Sequence, residues 1–270
     1  MPTIKELLHH CDCNRLDAEL LLAFCLQVER SYLYTYPEKA VSKHEQQQFL
    51  AYQQQRQQGK PLAYITGYQE FWSLNLQVNP HCLIPRADTE TIVEKALEKL
   101  PCQSQTVIDL GTGSGAIALA LASECEQWHI TATDIDPSTL ALAQQNAQRL
   151  KLTKIQFIQS DWFSQLKSHS ADAIISNPPY IDKTDEHLTA LQYEPQSALV
   201  AAQQGLADLH HIIKQAKQHL NDGGFLLLEH GYDQGEAVKK LLLQYDYQNI
   251  EICYDLAGHT RGHLGYFNHN

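Results

Sequence analysis

Apolar positions recur at helical spacing through the first sixty or so residues, then in short β-branched runs through most of the remainder. Residues 4–9, 17–26 and 42–58 read as helices, the second with Leu20, Leu21, Leu22 and Leu26 on one face. They predict a small helical domain over 1–62. Its glutamine-rich stretches, 46–48 and 53–58, read as a solvated helix face because Phe49, Leu50 and Tyr52 interrupt them at helical spacing, and Gly59-Lys60-Pro61 stops the helix. Over 64–83 the period turns to two, and Phe71, Leu74, Leu76 and Val78 predict a β-hairpin linker over 63–84.

From residue 85 onward strands and helices alternate. Asp88 reads as the N-cap of an amphipathic helix carrying Ile92, Val93, Ala96 and Leu97. Strands are predicted at 106–110, 130–134, 155–159, 171–176, 225–229, 250–254 and 263–267. Helical segments between them imply an α/β fold with a seven-stranded, mainly parallel sheet covered on both faces. A ligand belongs at the carboxyl ends of such strands.

Composition narrows the function. Lys and Arg total 20 against 31 Asp and Glu, a formal net charge of −11. That balance opposes the counterion release that drives binding to duplex nucleic acid, and so argues against a DNA or RNA substrate. The seven cysteines show no framework spacing and residues 1–6 no signal-peptide core, which predicts a reducing, cytoplasmic setting. No apolar run approaches the ~18 residues needed to span a bilayer. The cluster His9-His10-Cys11-Asp12-Cys13 has ligand-type residues but no second cluster, so a helix end is expected there and no metal. His210-His211 reads as helix surface.

Asn177-Pro178-Pro179-Tyr180 follows a β-branched strand, and its two prolines stiffen the loop and remove backbone donors. An NH2 group has two hydrogens to satisfy: the Asn177 side-chain oxygen can take one and the Pro178 carbonyl the other, with Tyr180 as a stacking face. These residues therefore predict an acceptor site for a planar amide or base. Upstream, Asp109-Leu110-Gly111-Thr112-Gly113-Ser114-Gly115-Ala116 joins a strand to a helix. This fits a dinucleotide fingerprint, with Asp134 about twenty residues on as a ribose acid, so an NAD-dependent oxidoreductase competes. Three features favour S-adenosylmethionine: Asp109 ahead of the loop, Asp161-Trp162 after the third strand, and the Asn-Pro-Pro-Tyr loop after the fourth. On that reading Gly111, Thr112, Gly113, Ser114 and Gly115 pass against the methionine part. Asp134 takes the ribose hydroxyls, Asp161 and Trp162 flank the adenine, and Asn177 lies close to the methyl group.

In this order the motifs resemble the class I S-adenosylmethionine-dependent methyltransferases. Leu83-Ile84-Pro85-Arg86-Ala87-Asp88-Thr89-Glu90, Tyr193-Glu194-Pro195 and Asp255-Leu256-Ala257-Gly258 further resemble the peptide chain release factor glutamine methyltransferases, as do Asp17-Ala18-Glu19 and Tyr64-Ile65-Thr66-Gly67. Ala87 stands where that family usually carries proline, which loosens the segment slightly. The resemblance implies a Rossmann-like sheet, S-adenosylmethionine as cofactor, and as substrate the glutamine amide in the Gly-Gly-Gln loop of class I release factors. It also implies that the helical domain grips that partner, with neither nucleic acid nor membrane involved. Two rivals share the loop logic: methyltransferases acting on a ribosomal protein's glutamine, and DNA adenine methyltransferases, which would have to flip a base out.

Overall fold

Capping boxes set the first and fourth helices. In α1 (Ile4–His9) the Thr3 hydroxyl accepts from the Glu6 N–H while the Glu6 carboxylate accepts from the Thr3 N–H, and Ser42 and Glu45 repeat the exchange at α4 (Lys43–Gln57). With α2 (Arg15–Leu26), α3 (Arg30–Thr35) and α5 (Leu62–Thr66), they form the first of two compact units, Met1–Tyr68. The second unit is Gln69–Asn270. This computed structural model describes all residues except 12, 167–169 and 270.

In the first unit Ile4, Leu21, Leu22, Leu33 and Phe49 bury completely or nearly so. Glu19 is buried beside them and receives Arg15, Arg30 and the Tyr34 hydroxyl, while Asp17 pairs with Arg56 at 2.7 Å. The glutamine-rich helix departs from the expected pattern: Gln53, one turn beyond Phe49, is buried with it, and Leu50 turns outward. The strand period expected from residue 64 also starts too early. Residues 62–66 are helical because Pro61 opens the turn, Ala63, Tyr64 and Ile65 bury, and Gly67 ends it in the left-handed region at φ 79°. Among the described residues no group of three or more His, Cys, Asp and Glu is placed to hold a metal ion, and Asp12 lies outside them. No helix among them is long and apolar enough to cross a membrane.

The hairpin itself is β1 (Tyr68–Phe71) and β2 (Leu74–Gln77), with Trp72 and Ser73 both at positive φ in the turn. Phe71 and Leu76 enter the core of the second unit. Its sheet comprises β3 (Thr106–Leu110), β4 (His129–Asp134), β5 (Gln156–Gln159), β6 (Ala171–Ser176), β7 (Leu220–Glu229), β8 (Gln248–Tyr254) and β9 (Thr260–Tyr266), in the order β5-β4-β3-β6-β7-β9-β8. The first five are parallel, and β9 runs antiparallel between β7 and β8.

Period-two alternation divides the core. Val107, Ala173, Ile175 and Leu227 join one hydrophobic cluster with α6 (Glu90–Lys99) and α7 (Ala116–Glu124). Their neighbours Ile108, Ile174, Leu226 and Leu228 join another with α9 (Ala207–Ala216) and α10 (Gly235–Gln244). α8 (Pro137–Arg149) follows β4. Because β4 and β6 lie on opposite sides of β3, the strand order reverses there and leaves a crevice at the strands' carboxyl ends.

Three smaller expectations change. Asp88 caps no helix; it sits in a single 3-10 turn, Ala87–Thr89, and pairs with Arg261 of β9 at 2.9 Å. His210 is not simple helix surface: its Nε2 lies 2.8 Å from the Tyr245 hydroxyl, while His211 is exposed. The cysteine count also gave no sign that Cys102 and Cys125, 23 residues apart, are bonded, while the remaining cysteines are free thiols.

Candidate active site

A cavity of about 360 Å³ opens at the carboxyl ends of β3, β4, β5 and β6, within the range of roughly 300–1,000 Å³ usual for small-molecule sites. Its floor is the loop after β3, where Gly111, Gly113 and Gly115 all adopt positive φ. Asp109 works behind that loop rather than on it. Fully buried at the end of β3, its Oδ2 accepts from the Thr112 hydroxyl at 2.6 Å and the Ala118 N–H at 3.2 Å, tying the turn to the start of α7. Burial pushes its pKa up to about 7, against the lowering effect of those two bonds. The sequence reading placed Asp109 on the cofactor. Instead it holds the loop from below and does not line the cavity.

Gly115 is likewise a packing position. A Cβ there would come within 2.8 Å of Leu119 and 3.3 Å of Ala143, so glycine lets α7 close on α8. Asn146 of α8 adds a clamp, donating to the Ser114 and Gln77 carbonyls at 2.9 Å and accepting the Gln77 N–H at 2.7 Å. The hairpin and the glycine loop are thereby fixed to one side chain.

Asp134, at the end of β4, accepts from the Gly113 N–H and the Asp136 N–H, each at 3.0 Å. The cap ahead of Pro137 is Asp136, whose Oδ1 takes the Ser138 and Thr139 N–H groups, so Asp134 is left to face the cavity. Burial raises the Asp134 pKa, with the Asp136 and Gly113 bonds opposing. Beyond β5, Asp161 is exposed at the wall, and the half-buried Trp162 sits at φ 46° with its ring under Gly111. Asp136, Asp208, Ser197 and Ala198 complete that side, and residues 81–83 strap across it, held where Thr139 donates to the His81 carbonyl at 2.8 Å.

At the acceptor end Asn177 and Pro179 line the cavity, whereas Pro178 is buried. The Asn177 Nδ2 donates to the Thr89 hydroxyl at 3.1 Å, which leaves the amide oxygen as the group available to a ligand. Tyr180 departs from the expected role as a stacking face. It is not on the cavity wall; its hydroxyl donates to Glu229 of β7 at 3.2 Å, and its ring packs on the hydrophobic cluster beneath α9 and α10. Of the residues expected to bind, Gly111, Thr112, Gly113, Ser114, Asp134, Asp161, Trp162, Asn177 and Pro179 share one cavity; Asp109, Gly115 and Tyr180 support it from behind, and Pro178 is buried in the loop between Asn177 and Pro179.

Sequence reasoning did not assign roles to Thr89, Arg86, Glu194 or Glu229. Arg86 lines the cavity and is paired with the buried Glu194, whose second oxygen accepts from the Ile84 N–H at 3.0 Å. Arg261 joins Asp88 to Asp255 at 2.9 and 2.8 Å. Three of the five motifs matched only by resemblance, 83–90, 193–195 and 255–258, are thus tied together beside the loop 177–180. Glu229 carried a usable signal, an acid at the carboxyl end of a strand, the same one that flagged Asp134.

Glycine loop, strand-end acids and acceptor loop on this sheet define a class I S-adenosylmethionine-dependent methyltransferase. The description "Methyltransferase small domain" fits residues 88–251, and "PrmC N-terminal domain" fits 3–67. The release factor glutamine methyltransferase of Shewanella oneidensis is 51% identical over 93% of this chain and 88% of its own length. That of Escherichia coli is 47% identical over 93% and 91%. A crystal structure of a methyltransferase from Pyrococcus furiosus shares the fold, with a TM-score of 0.57 at 17% identity, over 80% of this chain and 98% of that one. The chain belongs to the release factor glutamine methyltransferase family.

The cavity fits the cofactor this family implies. S-adenosylmethionine is cationic at sulfur and at its amino group, and Asp134, Asp136, Asp161 and Asp208 outnumber Arg86 on the walls. Asp134→Ala is expected to weaken cofactor binding by about 1–3 kcal/mol, the scale of a lost hydrogen bond to a charged partner. Titration calorimetry giving the wild-type affinity would remove Asp134 from the binding set.

Proposed function

We propose that this protein transfers the methyl group of S-adenosylmethionine to the side-chain amide nitrogen of the glutamine in the Gly-Gly-Gln loop of a class I release factor. The observation that carries the reading is the Asn177 amide, fixed through its nitrogen on Thr89 at the rim of the cofactor cavity, its oxygen without a hydrogen-bond partner among the described residues. When bound, S-adenosylmethionine supplies an electrophilic methyl group on a sulfonium. The protein's own part is to bring a poor nucleophile to it in the right orientation. Asn177 Oδ1 accepts one amide hydrogen and the Pro178 carbonyl the other, which turns the nitrogen lone pair toward the methyl carbon. As the N–C bond forms and the C–S bond breaks, that nitrogen becomes acidic and its proton leaves to solvent, so no strong general base is required. Holding both hydrogens before reaction supplies the rate through positioning and preorganised polarity.

The deciding experiment offers labelled S-adenosylmethionine in parallel to a release factor, its Gly-Gly-Gln glutamine variant, ribosomal proteins and DNA. Label on the release factor that disappears with the glutamine is the expected outcome. Label on DNA or on a ribosomal protein alone would replace this reading with one of its rivals.

A further inference from the structure

Cys102 and Cys125 form the one disulfide among the described residues, and no step of methyl transfer uses it. Their Cα atoms stand 5.4 Å apart, inside the span that a disulfide bridges without moving the backbone. The other five cysteines are free thiols, with Cys25, Cys82 and Cys253 buried. Free thiols in that proportion are the pattern of a reducing compartment, where a disulfide is more often transient or redox-sensing than structural.

The position of this bond connects it to the cavity. α6 opens directly after Thr89, whose hydroxyl holds the Asn177 amide, and α7 opens directly after Gly115, the last glycine of the cofactor loop. Both helices then run away from the cavity, because each leads to the amino end of a parallel strand, α6 to β3 and α7 to β4. Cys102 follows the end of α6, and Cys125 is the C-cap of α7. The disulfide therefore ties the two far ends together, roughly 15 Å from the cavity at the rise of a helix of this length. Between these ends Ile92, Val93 and Ala96 of α6 share one cluster with Ile117, Ala120 and Leu121 of α7. The corner has other supports: Trp128 Nε1 donates to the Pro101 carbonyl at 3.1 Å and the His129 N–H to the Gln105 carbonyl at 2.7 Å. Opening the disulfide thus frees the helix ends without dissolving the corner.

We propose that Cys102–Cys125 is a reversible redox site that sets how tightly the cofactor is held. The bonded form staples α6 to α7 and so fixes the glycine loop relative to Thr89; the open form lets the two helices shift. Cys102 is exposed and Cys125 buried, so a small thiol attacks at Cys102. A sulfur–sulfur bond forms between that thiol and Cys102 while the Cys102–Cys125 bond breaks, and Cys125 leaves as a thiolate that takes a proton. A second small thiol then cleaves the mixed disulfide and releases Cys102. Two electrons have passed from the small thiols, now joined as their own disulfide, to the protein pair. Because couplings between binding equilibria are reciprocal, a cofactor that prefers the stapled form must favour the disulfide by the same factor.

The test equilibrates the full chain against mixtures of reduced and oxidised glutathione, quenches with acid and counts alkylated cysteines by mass, with and without S-adenosylhomocysteine. The pair should pass from bonded to open across the series, and S-adenosylhomocysteine should raise the equilibrium constant for the bonded form about fivefold or more. Calorimetry on the two forms should return the same ratio of affinities, and the open form should melt about 5 °C or more lower. Cys102→Ser, at an exposed position, should bind S-adenosylhomocysteine like the open form at every glutathione ratio. An equilibrium constant that ignores S-adenosylhomocysteine, with equal affinity in both forms, would overturn the proposal. So would a pair that stays open, or stays bonded, across the whole series. Affinity that still follows the glutathione ratio in Cys102→Ser would belong to another cysteine and overturn it equally.

Discussion

Asn177→Ala should lower kcat for release factor methylation by about 100-fold or more, the scale on which small misplacements of a reacting group are felt. Cofactor affinity should largely remain. The substitution removes the Asn177 amide oxygen, which has no hydrogen-bond partner among the described residues, while the amide nitrogen is held on Thr89. It leaves Asp134 and the glycine loop untouched, since they are held by Asp109, Asn146 and their own backbone bonds. The loss should thus fall on kcat more than on binding of either substrate. Single-turnover methylation with calorimetry of S-adenosylhomocysteine separates the two, and a variant with activity within threefold of wild type would end the case for Asn177 as the amide holder.

Gly205→Ala should be nearly as damaging without touching the cavity. Gly205 sits at φ 81°, and a Cβ there would fall 2.0 Å from the Tyr180 carbonyl oxygen and 2.6 Å from Gln234 Nε2. That nitrogen donates to the same Tyr180 carbonyl at 2.9 Å, so Gly205 and Gln234 form the back wall of the acceptor loop. A left-handed residue that is no longer glycine costs about 1–2 kcal/mol, and forcing the extra carbon into packed backbone about 1–3 more. The expected outcome is a loss of about 2–5 kcal/mol in denaturant unfolding. The kcat of the folded fraction should drop at least tenfold, since relief of the clash must move Tyr180. Unchanged kcat in folded Gly205→Ala would mean that the loop's rear support is dispensable.

Much of this was legible in the sequence, for reasons that separate cleanly. Strand periodicity located all seven strands of the sheet because alternating faces feed two different cores, as Val107 and Ile108 do. Local chemistry located the cavity lining because glycines and acids at strand ends face the ligand side by topology alone. What failed was any role that depends on a partner far along the chain. Asp109 and Asp134 are both acids at strand ends, yet only tertiary burial decides that one supports the loop and the other meets the cavity. Tyr180 looked like a stacking face until Glu229, 49 residues away, claimed its hydroxyl. Arg86 and Glu194, 108 residues apart, gave no local sign of pairing. The helix at 62–66 was missed for a different reason: five residues between Pro61 and Gly67 are too few to show a helical period.

The placement of β9 affects how the enzyme is made. It follows β8 in sequence but is inserted between β7 and β8, pairing Gly262 with Glu229 and bringing Arg261 to Asp88. The sheet cannot be assembled strand by strand in the order of synthesis. Until residues 260–266 have been added, β7 has an unpaired edge and the buried end that carries Glu229 stays wet. Such non-local closure is slow to form. The enzyme would then reach its working state only after residues 260–266 have been made and inserted between β7 and β8.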